Sequence, residues 1–438
     1  MLNKLEEILT QNNVFLSGGA GVGKSFLTNE LIKSYKKQGK MVVSLGSSAL
    51  SAFNISGVTL HSFFCFGHCD NHLSLSIYDK SQKQREKLAK LRESLKKTKL
   101  IIIDEISMVS ADIFEMIGLR LRNSSFDGKI LVVGDFFQLP PVIKESKDGL
   151  FRACNYAFAS FFWQDLNFTN IKLSLPKRTQ DTQFYENLSL IRQGFLNDEL
   201  LKFFEKLCIN KKEFEKISDD YTLLCGINKR VDFINKNKLD KINAPLKKFN
   251  AEIYKEDKNL NDEALQGWIK SLNISLELEL KVGARVIFCV NNWEKNYYNG
   301  EQGVVSEIIY DDDKVYIEII KNNGFTTLLE PYAFRMEEFE NSENKILATC
   351  LQFPIKLAYA ITIHKSQGMS IEKLVCDIDN IFEKGQLYVA LSRATNFQTL
   401  KIYFSKALDF CSYFASILKV DFSVLNFYKE QKFLDLEM

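Results

Sequence analysis

The chain has 438 residues, 46% hydrophobic and 26% charged, which is globular and long enough for about two to four domains. Lys and Arg number 57 against 55 Asp and Glu, a formal charge of +2, so net attraction cannot recruit a polyanion and any nucleic-acid grip must be local. No apolar run approaches the roughly 18 residues that cross a bilayer, the start Met1-Leu2-Asn3-Lys4-Leu5-Glu6-Glu7 is unlike a leader, and the nine Cys are scattered, so a cytosolic protein in a reducing compartment, without membrane contact, is expected.

Short apolar runs at Val14 to Ser17, Met41 to Leu45, Leu100 to Ile103 and Ile130 to Val133 alternate with helical stretches, which predicts parallel strands joined by crossover helices. Ligands of such sheets bind at the carboxyl edge. After the first run, Gly18-Gly19-Ala20-Gly21-Val22-Gly23-Lys24-Ser25 has P-loop spacing, and Phe26 opens a helical pattern. The glycines let backbone N–H groups turn toward phosphate oxygens, Lys24 can bridge the terminal phosphates of ATP, and Ser25 can ligate magnesium.

Further on, Cys65, His68, Cys69 and His72 are four zinc-type ligands, but Gly67, Asp70 and Asn71 between them disfavour the helix that would align them. Lys80 to Lys99 holds nine Lys or Arg and two Glu, read as a solvated helix face. The third run ends in Asp104-Glu105: Asp104 suits a magnesium shell and Glu105 can polarise the attacking water. The fourth leads to Gly134-Asp135-Phe136-Phe137-Gln138-Leu139-Pro140-Pro141, where the Gln138 amide can sense the γ-phosphate.

Beyond Leu173, strands at Tyr221 to Cys225, Lys373 to Asp377 and Leu400 to Phe404 indicate a second α/β lobe without a P-loop. Period-two alternation from Leu276 to Pro331, with turns at Asn299-Gly300 and Asn323-Gly324, interrupts that lobe with a small antiparallel β barrel. Arg178 and Arg393 are then positioned to meet γ-phosphate charge from across the seam, if the two lobes close on one nucleotide.

The P-loop, Gly57 to Phe64, Asp104-Glu105-Ile106-Ser107-Met108, Gly134 to Pro141, Ile361-Thr362-Ile363-His364-Lys365-Ser366-Gln367-Gly368 and Tyr388 to Thr395 resemble, in that order, the motifs of superfamily-one DNA helicases, and most nearly the Pif-one-like group. The resemblance implies two RecA-like lobes with an inserted SH3-like barrel and a small wedge element. It divides the chain into lobe one at 1–172 with the wedge near 66–98, lobe two at 173–270 and 335–438, and the barrel at 271–334. It also implies ATP-driven, 5′-to-3′ movement on single-stranded DNA. Nucleotide contacts are expected at Gly18 to Phe26 and Gly368, and DNA contacts at Ser48, His61, Phe63, Pro140, His364, Lys365 and Ser366. The expected partners are single-stranded DNA and single/double-strand junctions, with four-stranded guanine DNA a further candidate and a monomer in solution. The rival reading is a P-loop ATPase, RecD-like or other, that remodels protein-DNA complexes.

Overall fold

The computed structural model describes residues 1–47, 51–52, 55, 57–67, 69–80, 82–141, 156–179, 181–272, 274–292, 294–312, 314–340 and 343–436, the side chains of 83, 338–340, 343 and 344 excepted. Its largest sheet has seven parallel strands in the order Leu434–Asp435, Thr169–Leu173, Val14–Gly18, Lys129–Gly134, Thr98–Asp104, Met41–Gly46 and Val58–Thr59. The four strands predicted for lobe one are all here. Their side chains alternate between two buried faces, which explains unbroken apolar runs. Leu16, Ile102 and Val133 meet Leu5, Leu27 and Leu31 on one side, while Phe15, Ile101, Ile103 and Val132 meet Phe114, Ile117 and Trp163 on the other.

Lobe two is a five-stranded parallel sheet in the order Ala360–Thr362, Thr222–Cys225, Leu374–Asp377, Leu400–Tyr403, Cys208–Ile209. The insert is a five-stranded antiparallel sheet, Thr326–Leu329, Lys314–Lys321, Gln302–Asp311, Arg285–Phe288 and Ile355–Leu357, around its own core of Val286, Phe288, Ile317 and Ile319.

Strand pairing runs across two of the expected boundaries. The insert does not stop at 271–334: Lys247–Asn250 pairs with Glu277–Leu280, and Glu252–Lys255 joins the long hairpin of Tyr332–Glu340 and Glu343–Gln352. That hairpin leans on lobe one, where Ser62 Oγ donates to the Glu337 carbonyl at 2.9 Å. Nor does 335–438 belong wholly to lobe two. The helix Phe422–Glu430 puts Val424 and Phe427 into the lobe-one core, and Leu434–Asp435 pairs with Thr169–Leu173 as an edge strand. Phe427 packs against Phe15, Phe136, Phe158 and Trp163, with ring centroids 4.4 to 6.0 Å away.

The wedge region holds the helices His72–Tyr78 and Gln82–Lys97. It is anchored by Arg120, which donates to the Phe64 carbonyl at 2.9 Å and to Asp79 at 2.6 and 2.9 Å. Left-handed turns at Cys65 (φ 54°) and Gly67 (φ 59°) prevent one helix from aligning the four zinc-type ligands. His68 lies outside the described residues, and among those described no group of three His, Cys, Asp or Glu is placed to hold a metal. No described helix is long and apolar enough to cross a membrane.

Candidate nucleotide site at the lobe seam

The P-loop runs from the end of Val14–Gly18 into the helix Lys24–Lys37. Lys24 Nζ folds back onto the Gly18 and Gly19 carbonyls at 2.7 and 2.9 Å. Burial holds its ammonium below the ordinary value, against the upward pull of the Asp135 and Glu105 carboxylates. Gly21 is left-handed (φ 77°), and a Cβ there would lie 2.5 Å from Arg178 Cβ, so only glycine lets the loop pass under that arginine. Val22 is buried, Ala20, Gly21 and Gly23 are half-buried, and Ser25 and Phe26 are exposed at the start of the helix.

Asp104 ends the strand Thr98–Asp104, two places from Val14–Gly18 in the sheet, and Glu105 follows it. Burial, then the Glu105 charge, pushes the Asp104 carboxyl up to about 7, although the Glu105 N–H donates to Asp104 Oδ1 at 2.9 Å and Lys24 is near. Glu105 has φ 52° and ψ 49°, a left-handed conformation costing a non-glycine residue about 1 kcal/mol or more. Its carboxylate accepts from Gln367 Nε2 of lobe two at 3.1 Å. Ser25 and Asp104 supply an all-oxygen donor set, which fits magnesium, and a divalent cation would relieve the like-charge pair beside them.

The two arginines meet at this seam. The Lys177 and Arg178 N–H groups donate to the Gly21 carbonyl at 2.8 and 3.0 Å, and Arg178 Nη1 reaches the Ser392 carbonyl of lobe two at 2.8 Å. Arg393 is 2% exposed and donates within lobe two, from Nε to Val389 O at 3.0 Å and from Nη2 to Ser392 Oγ at 3.0 Å. Burial and then the Arg393 charge lower Arg178 to about 9. Burial also lowers Arg393, with Glu105 pulling it back up. The half-buried Arg178 and the buried Arg393 bring two positive charges to one seam, which makes a place for an anion.

The third motif closes the seam. Gln138 is buried, its N–H bonded to Asp135 O at 2.9 Å, and Gly385 of lobe two comes so close that a Cβ would lie 2.6 Å from the Gln138 carbonyl oxygen. Asp135 takes Arg192 Nε and Nη2 at 2.9 and 2.8 Å, and Arg192 stacks over Phe137. Burial opposes the Arg192 charge, but Asp135 outweighs it and leaves that pKa raised.

The expected DNA contacts scatter. His61 and His364 are half-buried, the second paired from Nε2 with Glu383 at 2.9 Å, and Lys365 is exposed. Phe63 is 2% exposed, with its ring against Phe64 at 5.0 Å in the lobe-one core. Pro140 is likewise buried, and the buried Ser366 hydroxyl donates inward to Ile363 O at 2.7 Å. Ser48 lies outside the described residues. Gly368 is an exposed left-handed turn (φ 78°) beside them. Sequence reasoning assigned no role to Gln367, Tyr388, Asp135, Arg192 or Gly385. The first three stand inside or beside the quoted motifs, and that proximity was the available signal; Arg192, alone in a helix, gave none.

A P-loop in one RecA-like lobe, a carboxylate pair at the end of another strand of the same sheet and arginines shared with a second such lobe define a nucleotide-hydrolysing enzyme with its site between lobes. A family model described as PIF1-like helicase matches residues 4–199, and a second described as Helicase matches 243–406. The chain is 68% identical to the ATP-dependent DNA helicase Pif1 of Campylobacter jejuni, over all of this chain and 99% of that protein. It superposes on Bacteroides Pif1 in complex with ADP-AlF4 with a TM-score of 0.78 at 28% identity, and on Bacteroides Pif1 bound to single-stranded DNA with a TM-score of 0.66 at 29% identity. Each covers 98% of this chain and 95% of the other. The chain belongs to the Pif1 helicase family, whose members are ATP-dependent DNA helicases.

Proposed function

We propose that this chain hydrolyses ATP at the lobe seam to move 5′-to-3′ along single-stranded DNA, opening single/double-strand junctions, with four-stranded guanine DNA a further substrate and a monomer the species in solution. The observation that carries the reading is the convergence of Lys24, Glu105, Arg178 and Arg393 from both lobes on one seam. Glu105 accepts a proton from the attacking water as its oxygen bonds the γ-phosphorus and the bond to the β-phosphate oxygen breaks. Lys24, Arg178 and Arg393 meet the charge gathering on the transferred group, and Gln138 is the γ-phosphate sensor. Ser25 and Asp104 would hold magnesium, which when bound neutralises phosphate charge. Because Arg393 belongs to one lobe and Lys24 to the other, nucleotide loss frees the lobes to part, and that is the motor step.

On the DNA face, Lys365, His61 and His364 supply cationic or polar contacts that hold phosphates without reading sequence. Bacteroides Pif1 has been seen bound to single-stranded DNA, which supports the same partner here. ATP turnover with and without single-stranded DNA across a salt series tests the reading. Stimulation that weakens as salt rises is expected, together with unwinding of duplexes bearing a 5′ but not a 3′ overhang. A DNA response flat with salt would favour the protein-remodelling alternative.

A further inference from the structure

Two phenols border the buried Asp135–Arg192 pair, and the hydrolysis steps use neither. Tyr428, on the C-terminal helix, exchanges a hydrogen bond with Ser17 Oγ at 2.7 Å and accepts the Phe136 N–H at 3.3 Å, both inside lobe one. Tyr388, on the lobe-two helix Gln386–Leu391, accepts the P-loop Ala20 N–H at 2.8 Å and lies 3.5 Å from Asp135 Oδ2. Asp135 is fully buried just past Lys129–Gly134, the strand paired with Val14–Gly18, so its carboxylate is fixed relative to the P-loop, and in this closed arrangement Arg192 of lobe two, 8% exposed, pairs with it. Of the two hydroxyls, only that of Tyr388 crosses the seam.

We propose that Tyr388 is a positioning residue for ATP hydrolysis, whose hydroxyl registers the helix leading to Arg393 against the P-loop amide of Ala20 and the fixed Asp135 carboxylate. A phenol can do both at once, accepting from the amide and donating its own proton to the carboxylate. Burial and then the Asp135 charge raise the Tyr388 pKa, so that proton is retained. Arg393 rides on the same turn: the Ser392 N–H donates to the Tyr388 carbonyl at 2.9 Å, and Arg393 Nε donates to Val389 O at 3.0 Å. The front of the helix is seated separately, by Gly385 against Gln138, where φ is 73° and a side chain would collide with the carbonyl. Two contacts on one short helix fix its angle, and the angle sets where the Arg393 guanidinium lies relative to the phosphates.

The proposal rests on hydrolysis at this seam. Its test is Tyr388→Phe, which keeps the packed ring and removes the hydroxyl, measured beside Tyr428→Phe in steady-state ATP hydrolysis at saturating single-stranded DNA. For Tyr388→Phe, kcat should fall about tenfold while the KM for ATP stays within about twofold and the thermal midpoint stays near that of the parent, because displacing a catalytic group costs rate rather than binding. Tyr428→Phe should lower the thermal midpoint and leave kcat several-fold above that of Tyr388→Phe. An unchanged kcat in Tyr388→Phe, a loss carried entirely by KM, or an equal loss of kcat in both variants would overturn the proposal. Full hydrolysis by Glu105→Gln would instead overturn the seam reading itself, so the two failures are distinguishable.

Discussion

Both lobes end an interior parallel strand in a buried aspartate, and only one of the two faces the candidate nucleotide site. Asp104 follows Ile103 into Glu105, and its carboxyl is raised by burial and by that like charge. Asp377 ends Leu374–Asp377 and accepts from Arg230 Nε at 2.8 Å; burial raises it too, with the guanidinium pulling against the rise. Position in the sheet brings a carboxylate to the ligand edge, and the group facing it decides whether it is held ready for a cation or locked in a pair. The lobes also differ in closure. Lobe one takes back the end of the chain as an aromatic brace and an edge strand, whereas the lobe-two sheet is built without that return.

The largest change that would sharpen this contrast is Glu105→Gln, which removes the proposed base and leaves Asp104 without the like charge beside it. Hydrolysis should drop about 10³-fold with ATP binding nearly intact, read by single-turnover cleavage and nucleotide titration. Equal turnover in mutant and parent would break the assignment of the base. Next is Phe427→Ala, which empties the brace and should cost lobe one about 3 kcal/mol. Hydrogen exchange should then quicken in Val14–Gly18 while Leu374–Asp377 keeps its protection, and equal quickening in both would mean that the brace serves the whole molecule. The smallest effect is expected for Arg230→Ala, which strands Asp377 without its partner. A loss of about 2 kcal/mol in stability is expected, with DNA-stimulated kcat within about twofold of the parent. A large fall in kcat would place Asp377 nearer the chemistry than its ion pair suggests.

Much of the candidate nucleotide site was legible before the fold. A phosphate cradle is built from consecutive N–H groups, so Gly18 to Ser25 must be contiguous, and Asp104-Glu105 is marked by charge at the end of an apolar strand. The candidate DNA face was less legible because grip depends on which side chains reach the surface. Phe63 and Pro140 sit in motif positions and are buried, and Ser366 spends its hydroxyl on its own turn. The extended insert escaped because its long hairpin lies past the run of clean alternation, and the two-residue strand Leu434–Asp435 is too short to carry any period.

What the sequence determined by itself, then, is local chemistry: the apolar strands, the phosphate loop, the paired carboxylates and the order of the motifs, each dictated by neighbours along the backbone. The tertiary structure decided which distant groups share a site. It set Tyr388 on Ala20, Gln367 on Glu105, Arg192 on Asp135 and the C-terminal helix on Phe15. Those pairs are dozens to hundreds of residues apart. No spacing rule encodes them, because the contact depends on how whole sheets and helices pack and not on the chain between.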